Sequence, residues 1–153
     1  MDYSEHYAKA LGEPMKWFRL DADFMHDFKI RQLRAHGGYE AIGRYVALMS
    51  HLARTDGHIY DLSTPLGASF LAEDMGLSEA EVTSFAAILA SLGLIDSELW
   101  SESRKVCSKR LASEAMENAK SVARSRVKLD AMNEAKKAKE DASEGASKLR
   151  KRR

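Results

Sequence analysis

Cysteine is nearly absent from this chain of 153 residues: Cys107 stands alone, so no internal disulfide can form. That suits a reducing compartment, and the cytoplasm is the expected location. Long apolar runs are missing too. The longest uncharged, mostly apolar stretch covers residues 82–95, short of the roughly 20 residues that a membrane span needs. The opening MDYSEHYAKALGEP has no basic segment leading into an apolar run, so it does not read as a secretory signal. No aromatic residue lies beyond Trp100, so the C-terminal third cannot build a core of its own. No internal repeat is found. Lys and Arg are absent from residues 71–95, a lack that matters below.

What is present is unevenly distributed. The formal net charge is +1, yet residues 1–103 hold 8 Lys+Arg against 16 Asp+Glu, a net of −8. Residues 104–153 hold 16 against 7, a net of +9. An acidic body followed by a basic Ala-, Lys-, Ser- and Glu-rich segment is a statement about partners, because opposite surfaces attract and like surfaces repel.

The periodicity is mainly helical. Residues 1–15 read as loose or weakly helical. KWFRLDAD reads as a short extended segment anchored by Trp17 and Phe18. Asp27 is a good N-cap for a helix over 28–36, which Gly37 and Gly38 stop. A central core helix follows over 39–54. Its face of Tyr39, Ile42, Val46, Met49 and Ala53 is widened by Tyr45, Leu48 and Leu52. Gly43 inside it costs helix propensity, about 1 kcal/mol against Ala, and implies a close neighbour. DGHIYDL reads as a turn and short strand with Ile59 and Leu62 buried. Thr64 and Pro65 open a helix that turns Leu66, Phe70, Leu71 and Met75 inward. Gly76 and Leu77 make a turn, and Ser78 with Glu81 forms a capping box for the next helix, which buries Val82, Phe85, Ala86, Ile88, Leu89 and Leu92. Gly93 ends it. Leu94 and Ile95 start a strand, Asp96 to Glu98 turn, and Lys105 to Cys107 return, giving a long wing over 93–108. Ser108 then caps a helix over about 109–140 with a thin stripe of Leu111, Ala115, Val122, Leu129 and Met132.

Taken together, WFRLDADFMHDFKIRQLRAHGGYEAIGRYVALMSHL, DGHIYDL, the Gly76-Leu77-Ser78 turn, LGLID and SKRL resemble the N-terminal winged-helix domain of phage and prophage replication-initiation proteins, the replisome organisers related to DnaD. The resemblance covers residues 16–111. It implies a winged helix-turn-helix acting beside DNA and replication proteins.

Candidate chemistry is sparse. Asp21, Asp23, His26 and Asp27 cluster in the manner of metal ligands, but they read better as turn residues and an N-cap, and His36, His51 and His58 supply no matching motif. Cys107 lacks a His-Asp pair nearby. AHGG is not a phosphate loop, since it lacks the Lys-Ser/Thr pair and follows a helix. Trp17, Phe18 and Trp100 could stack bases, though packing roles suit them better. No nucleophile-base pair is legible, so no enzyme, metal or cofactor is expected.

The helix that would read DNA in a helix-turn-helix begins with Glu79 and Glu81. Carboxylates there favour the helix N-terminus but repel phosphate, so this helix is expected to face a protein partner. DNA is expected to be held, without sequence preference, by Arg104, Lys105, Lys109, Arg110, Lys120, Arg124, Arg126 and Lys128. The expected architecture is therefore mainly α: a flexible segment (1–15), a winged helix-turn-helix with a short β wing (16–108), and a long basic helix or disordered tail (109–153). A host or phage replication protein is the expected partner, a homo-oligomer is a candidate, and no membrane is expected. The alternative is a stand-alone interaction module, such as a phage-encoded inhibitor whose acidic body mimics DNA on a nucleic-acid-binding host enzyme.

Overall fold

The computed structural model describes residues 1–153 and divides into two units: Gly12–Met116, and Met1–Leu11 together with Glu117–Arg153. No helix in it is long and apolar enough to cross a membrane.

The unit Gly12–Met116 is built around α2 (Phe28–Arg54). The Asp27 carboxylate accepts from the amides of Lys29 at 2.9 Å and Ile30 at 3.2 Å, which fixes the helix start. The helix breaks at Gly38, whose φ of 71° and ψ of −165° are not helical. The second half carries the core, with Ala41, Ile42, Tyr45, Leu48, Met49, Leu52 and Ala53 buried. The expected face is thus rotated. Tyr39 is 73% exposed, with the Arg34 guanidinium over its ring, and Val46 is only half-buried. Apolar residues cover more than half of this helix's circumference, so its partners choose the central line, Tyr45–Leu48–Leu52. Gly43 faces open space, and the close neighbour expected there is absent.

The other helices pack on this frame. α3 (Pro65–Met75) starts at Thr64, whose hydroxyl accepts from the Gly67 amide at 3.2 Å. Gly67 approaches the Asp61 carbonyl so closely that a Cβ would collide with it. α3 turns Ala68, Leu71, Ala72 and Met75 inward. Leu66 and Phe70, expected inside, are 66% and 55% exposed. The small Ala68 and Ala72 give this face a low profile that lets α3 lie close to α2 and α4, and that leaves the larger pair outside. Gly76 closes α3 in the left-handed conformation, φ 64°. α4 (Glu79–Ser91) then buries Val82, Phe85, Ala86, Leu89 and Ala90, while Ile88 and Leu92 are half-buried. Each fully buried Leu or Phe here contributes about 1.5–3 kcal/mol.

The wing differs from expectation. Residues 94–95 form no strand. Asp96 caps a helix, α5 (Ser97–Ser103), by accepting from the Leu99 amide at 2.8 Å, and Trp100 is its buried anchor. β2 (Lys105–Cys107) pairs antiparallel with β1 (Ile59–Asp61), in the register Ile59↔Cys107, Tyr60↔Val106 and Asp61↔Lys105. A capping Asp and an apolar Trp four residues on satisfy a helical turn, which a hairpin over the same residues would forfeit. Ile59, expected buried, is 46% exposed. Strand alternation turns Tyr60 the other way, against the His51 ring and with its hydroxyl donating to the Gly67 carbonyl at 2.6 Å. KWFRLDAD forms no strand: Trp17 is 64% exposed, and Phe18 packs on the core.

α6 (Lys109–Lys151) opens in this unit and continues through the other. Buried Ser108 caps it, its hydroxyl accepting from the Leu111 amide at 3.2 Å. Leu111 and Ala115 belong to the core, so the helix is not an appendage that starts after residue 108.

In the second unit, residues 3–11, expected to be loose or weakly helical, form α1 (Tyr3–Leu11). Asp2 and Glu5 exchange side-chain to amide hydrogen bonds at 2.8 and 2.9 Å, a reciprocal cap that satisfies two amides at once. α6 extends past the expected end near 140, giving about 65 Å of helix. Its expected apolar stripe also shifts. Val122 is half-buried, and Leu129 and Met132 are exposed, whereas Ala119 and Ala123 are fully buried.

Candidate nucleic-acid interface

α4 is the second helix of the helix-turn-helix, and its first turn is a complete capping box. The Ser78 hydroxyl accepts from the Glu81 amide, and the Glu81 carboxylate accepts from the Ser78 amide, both at 3.2 Å. The hydrogen bonds from the Ser78 side chain and backbone hold the Glu81 carboxyl below its usual range. Glu81 is therefore used locally. Glu79, Ala80, Glu81, Thr83, Ser84, Ala87 and Ser91 are the exposed residues of this helix, which offers a phosphate no cation.

The expected DNA-binding residues separate into two groups. In the unit Gly12–Met116, Arg104 caps α5 with φ 55°, and its guanidinium lies 4.9 Å from the centre of the Trp100 ring. Lys105 and Lys109 are exposed. Arg110 is half-buried and engaged by the protein itself: it donates to the Arg19 carbonyl and the Asp21 carboxylate at 3.2 Å and lies over the Phe24 ring. It acts as a clasp between the start of α6 and the segment before α2. In the other unit, Lys120 pairs with Glu117 at 2.9 Å, Arg124 and Lys128 are exposed, and Arg126 is half-buried. Beyond Asp130 every side chain of residues 131–153 is exposed. That stretch holds 8 Lys+Arg against 4 Asp+Glu, and none of them takes part in an internal ion pair.

Five of the carboxylates and histidines weighed as metal ligands are engaged separately. Asp21 meets Arg110, His26 meets Arg31, and Asp27 caps α2. His51 bonds to Asp74 at 2.8 Å, and His58 is buried with Nδ1 3.0 Å from the Leu52 carbonyl. Cys107 is half-buried, and burial raises its thiol pKa, with Asp96 adding to the effect. Trp100 is 4% exposed, so its ring cannot receive a base, whereas Trp17 is open.

Periodicity missed two features. One is a cleft of about 500 Å³ bordered by Lys29, Tyr45, Gly93, Asp96 and Lys109, with Lys29 Nζ donating to the Gly93 carbonyl at 3.1 Å. The other lies in the terminal unit. Buried His6 contacts the Asp130 carboxylate at 2.7 Å, and the Met1 ammonium stands 3.7 Å from the same group. The His6 bond, chiefly, holds the Asp130 carboxyl below its usual range. No sequence pattern marks either feature, because each joins residues far apart in the chain.

A helix-turn-helix on a helical frame, a two-stranded antiparallel sheet and a long C-terminal helix define a winged-helix-like protein. Within that class the chain belongs to the family described as Lin1244/Lin1753-like, N-terminal, whose profile matches residues 17–111. Comparison with curated proteins and with solved structures finds no match.

Proposed function

We propose that this protein associates with DNA without sequence preference through the distal part of α6, assisted by Lys105 and Lys109. The acidic helix-turn-helix body meets a protein partner, in the manner of a phage or prophage replisome organiser working in the cytoplasm. One observation carries the reading: residues 131–151 extend α6, and the basic side chains of residues 131–153 are all exposed and make no ion pair within the protein. Such a surface binds phosphate by releasing condensed counterions, and it carries no base information.

The exposed pair Leu66 and Phe70 on α3, together with an α4 face without cations, supports the second reading, a module that docks on a nucleic-acid-binding protein. Fluorescence anisotropy on a labelled duplex across a salt series separates the two. If about five phosphates are neutralised, log K should fall against log salt with a slope of about −4 to −5. A chain ending at Met132 keeps the core and carries 16 Lys+Arg against 19 Asp+Glu, a net of −3. It should lose most of the affinity. Undiminished binding by the shortened chain would overturn the α6 assignment, and absence of binding by the full chain would favour the docking module.

A further inference from the structure

The distal part of α6 is not evenly basic. An α-helix turns about 100° per residue. On that wheel Arg124, Lys128, Lys136, Lys139 and Arg150 fall within a sector of roughly 120°. No acidic residue from position 124 onward shares it. Asp130, Glu134, Glu140, Asp141 and Glu144 all fall within the opposite sector, also of roughly 120°. The remaining helical cations, Arg126, Lys137, Lys148 and Lys151, lie among those carboxylates. One face is therefore purely cationic over about 39 Å, and the other is close to neutral.

The two faces also differ in their surroundings. His6 of α1 and the Met1 ammonium meet Asp130, so α1 is fastened on the carboxylate side. On the cationic face the residues between the long side chains are short: Ser125, Ala135, Ala142, Ser143 and Ala146, all exposed. Apart from Met132, nothing bulky stands between the ammonium and guanidinium groups and a rail of phosphates. Met132 is the one large apolar residue within the sector, whereas a helix that lies in a membrane interface needs a broad apolar face.

We infer that the Arg124-to-Arg150 face is the polyanion-binding surface, and that it lies along the backbone of a nucleic-acid duplex. The carboxylate face stays turned away and receives α1. This inference rests on the DNA reading above and narrows it from a charged segment to one side of one helix.

Two variants of the full chain test it with equal change in net charge. The first carries Lys136→Gln, Lys139→Gln and Arg150→Gln; the second carries Lys137→Gln, Lys148→Gln and Lys151→Gln. Circular dichroism checks that each keeps its helix. Binding to a 30-base-pair duplex of arbitrary sequence is measured by anisotropy across a salt series, beside anionic phosphatidylserine vesicles. The first variant should lose at least about tenfold in affinity, and the size of its salt slope should fall by about 2.7, or 0.9 for each lost phosphate contact. The second should stay within about twofold of the parent. Equal losses from both variants would overturn the one-sided face while leaving the DNA reading intact. A parent chain that binds no duplex would overturn both, and one that binds only the vesicles would replace the nucleic acid with a lipid surface.

Discussion

The two units of this protein solve opposite problems with the same element, the α-helix. The unit Gly12–Met116 carries 11 Lys+Arg against 15 Asp+Glu, a net of −4, and surrounds one apolar cluster. The unit of Met1–Leu11 and Glu117–Arg153 carries 13 against 8, a net of +5. Its buried residues are only His6, Ala10, Ala119 and Ala123. The first gains its stability from burial, the second from Ala-rich helix propensity, caps and a single carboxylate anchor. A helix can thus be specified by its partners or by its own backbone preferences, and the difference shows in which residues can be exchanged. Core positions in the first unit tolerate little. The distal helix tolerates nearly any side chain that keeps it helical, which leaves its surface free to be shaped by charge.

The contrast breaks most visibly under truncation of single leucines. Leu52→Ala, at a fully buried site, should cost about 2–5 kcal/mol because it leaves a cavity where several elements meet. Leu149→Ala, at a site 68% exposed, should stay within about 0.5 kcal/mol. Urea unfolding followed by circular dichroism measures both. A Leu149→Ala loss as large as that of Leu52→Ala would mean that distal α6 is packed rather than solvated.

A smaller effect sharpens the division of charge. Glu79 is exposed and lies outside the capping box, so Glu79→Lys adds two units of positive charge to α4 without removing the cap. On the proposed reading α4 is turned away from the duplex, so DNA affinity should change by less than about threefold. A gain of tenfold or more, equivalent to about 1.4 kcal/mol, would return this helix to the groove.

The smallest effect is set by pH. Glu81 is held below its ordinary value by Ser78, and Asp130 chiefly by its bond from His6. A carboxyl lowered on folding contributes stability that is fully present above its ordinary value, and loses it as pH falls through the lowered one. The contribution of each carboxyl is therefore the same at pH 8 as at pH 6, and it is lost in acid as pH falls through the lowered value. Carboxyl-carbon NMR titration reads each site. Midpoints at or above 4.5 for Glu81 and 3.8 for Asp130, the ordinary values, would remove both contributions.

The parts legible in the sequence were those governed by neighbours in the chain. Asp27, Thr64, Ser78 with Glu81, and Ser108 cap helices where expected, and Gly38, Gly76 and Gly93 take positive φ at helix ends or breaks. These are decided within four residues, by hydrogen bonds to free amides and by the absence of a Cβ. The charge division was equally legible, since it is a count. Tertiary structure alone decided which strand pairs with β2, which side of α2 sits at the centre, and that Leu66 and Phe70 face outward while Arg110 is held by Asp21 and the Arg19 carbonyl. The chain offered more apolar surface than one core can bury and more cations than one ligand needs. Only the packing of distant segments, with Ala68 and Ala72 admitting a close neighbour and Asp21 reaching Arg110, selects among those equivalent local choices.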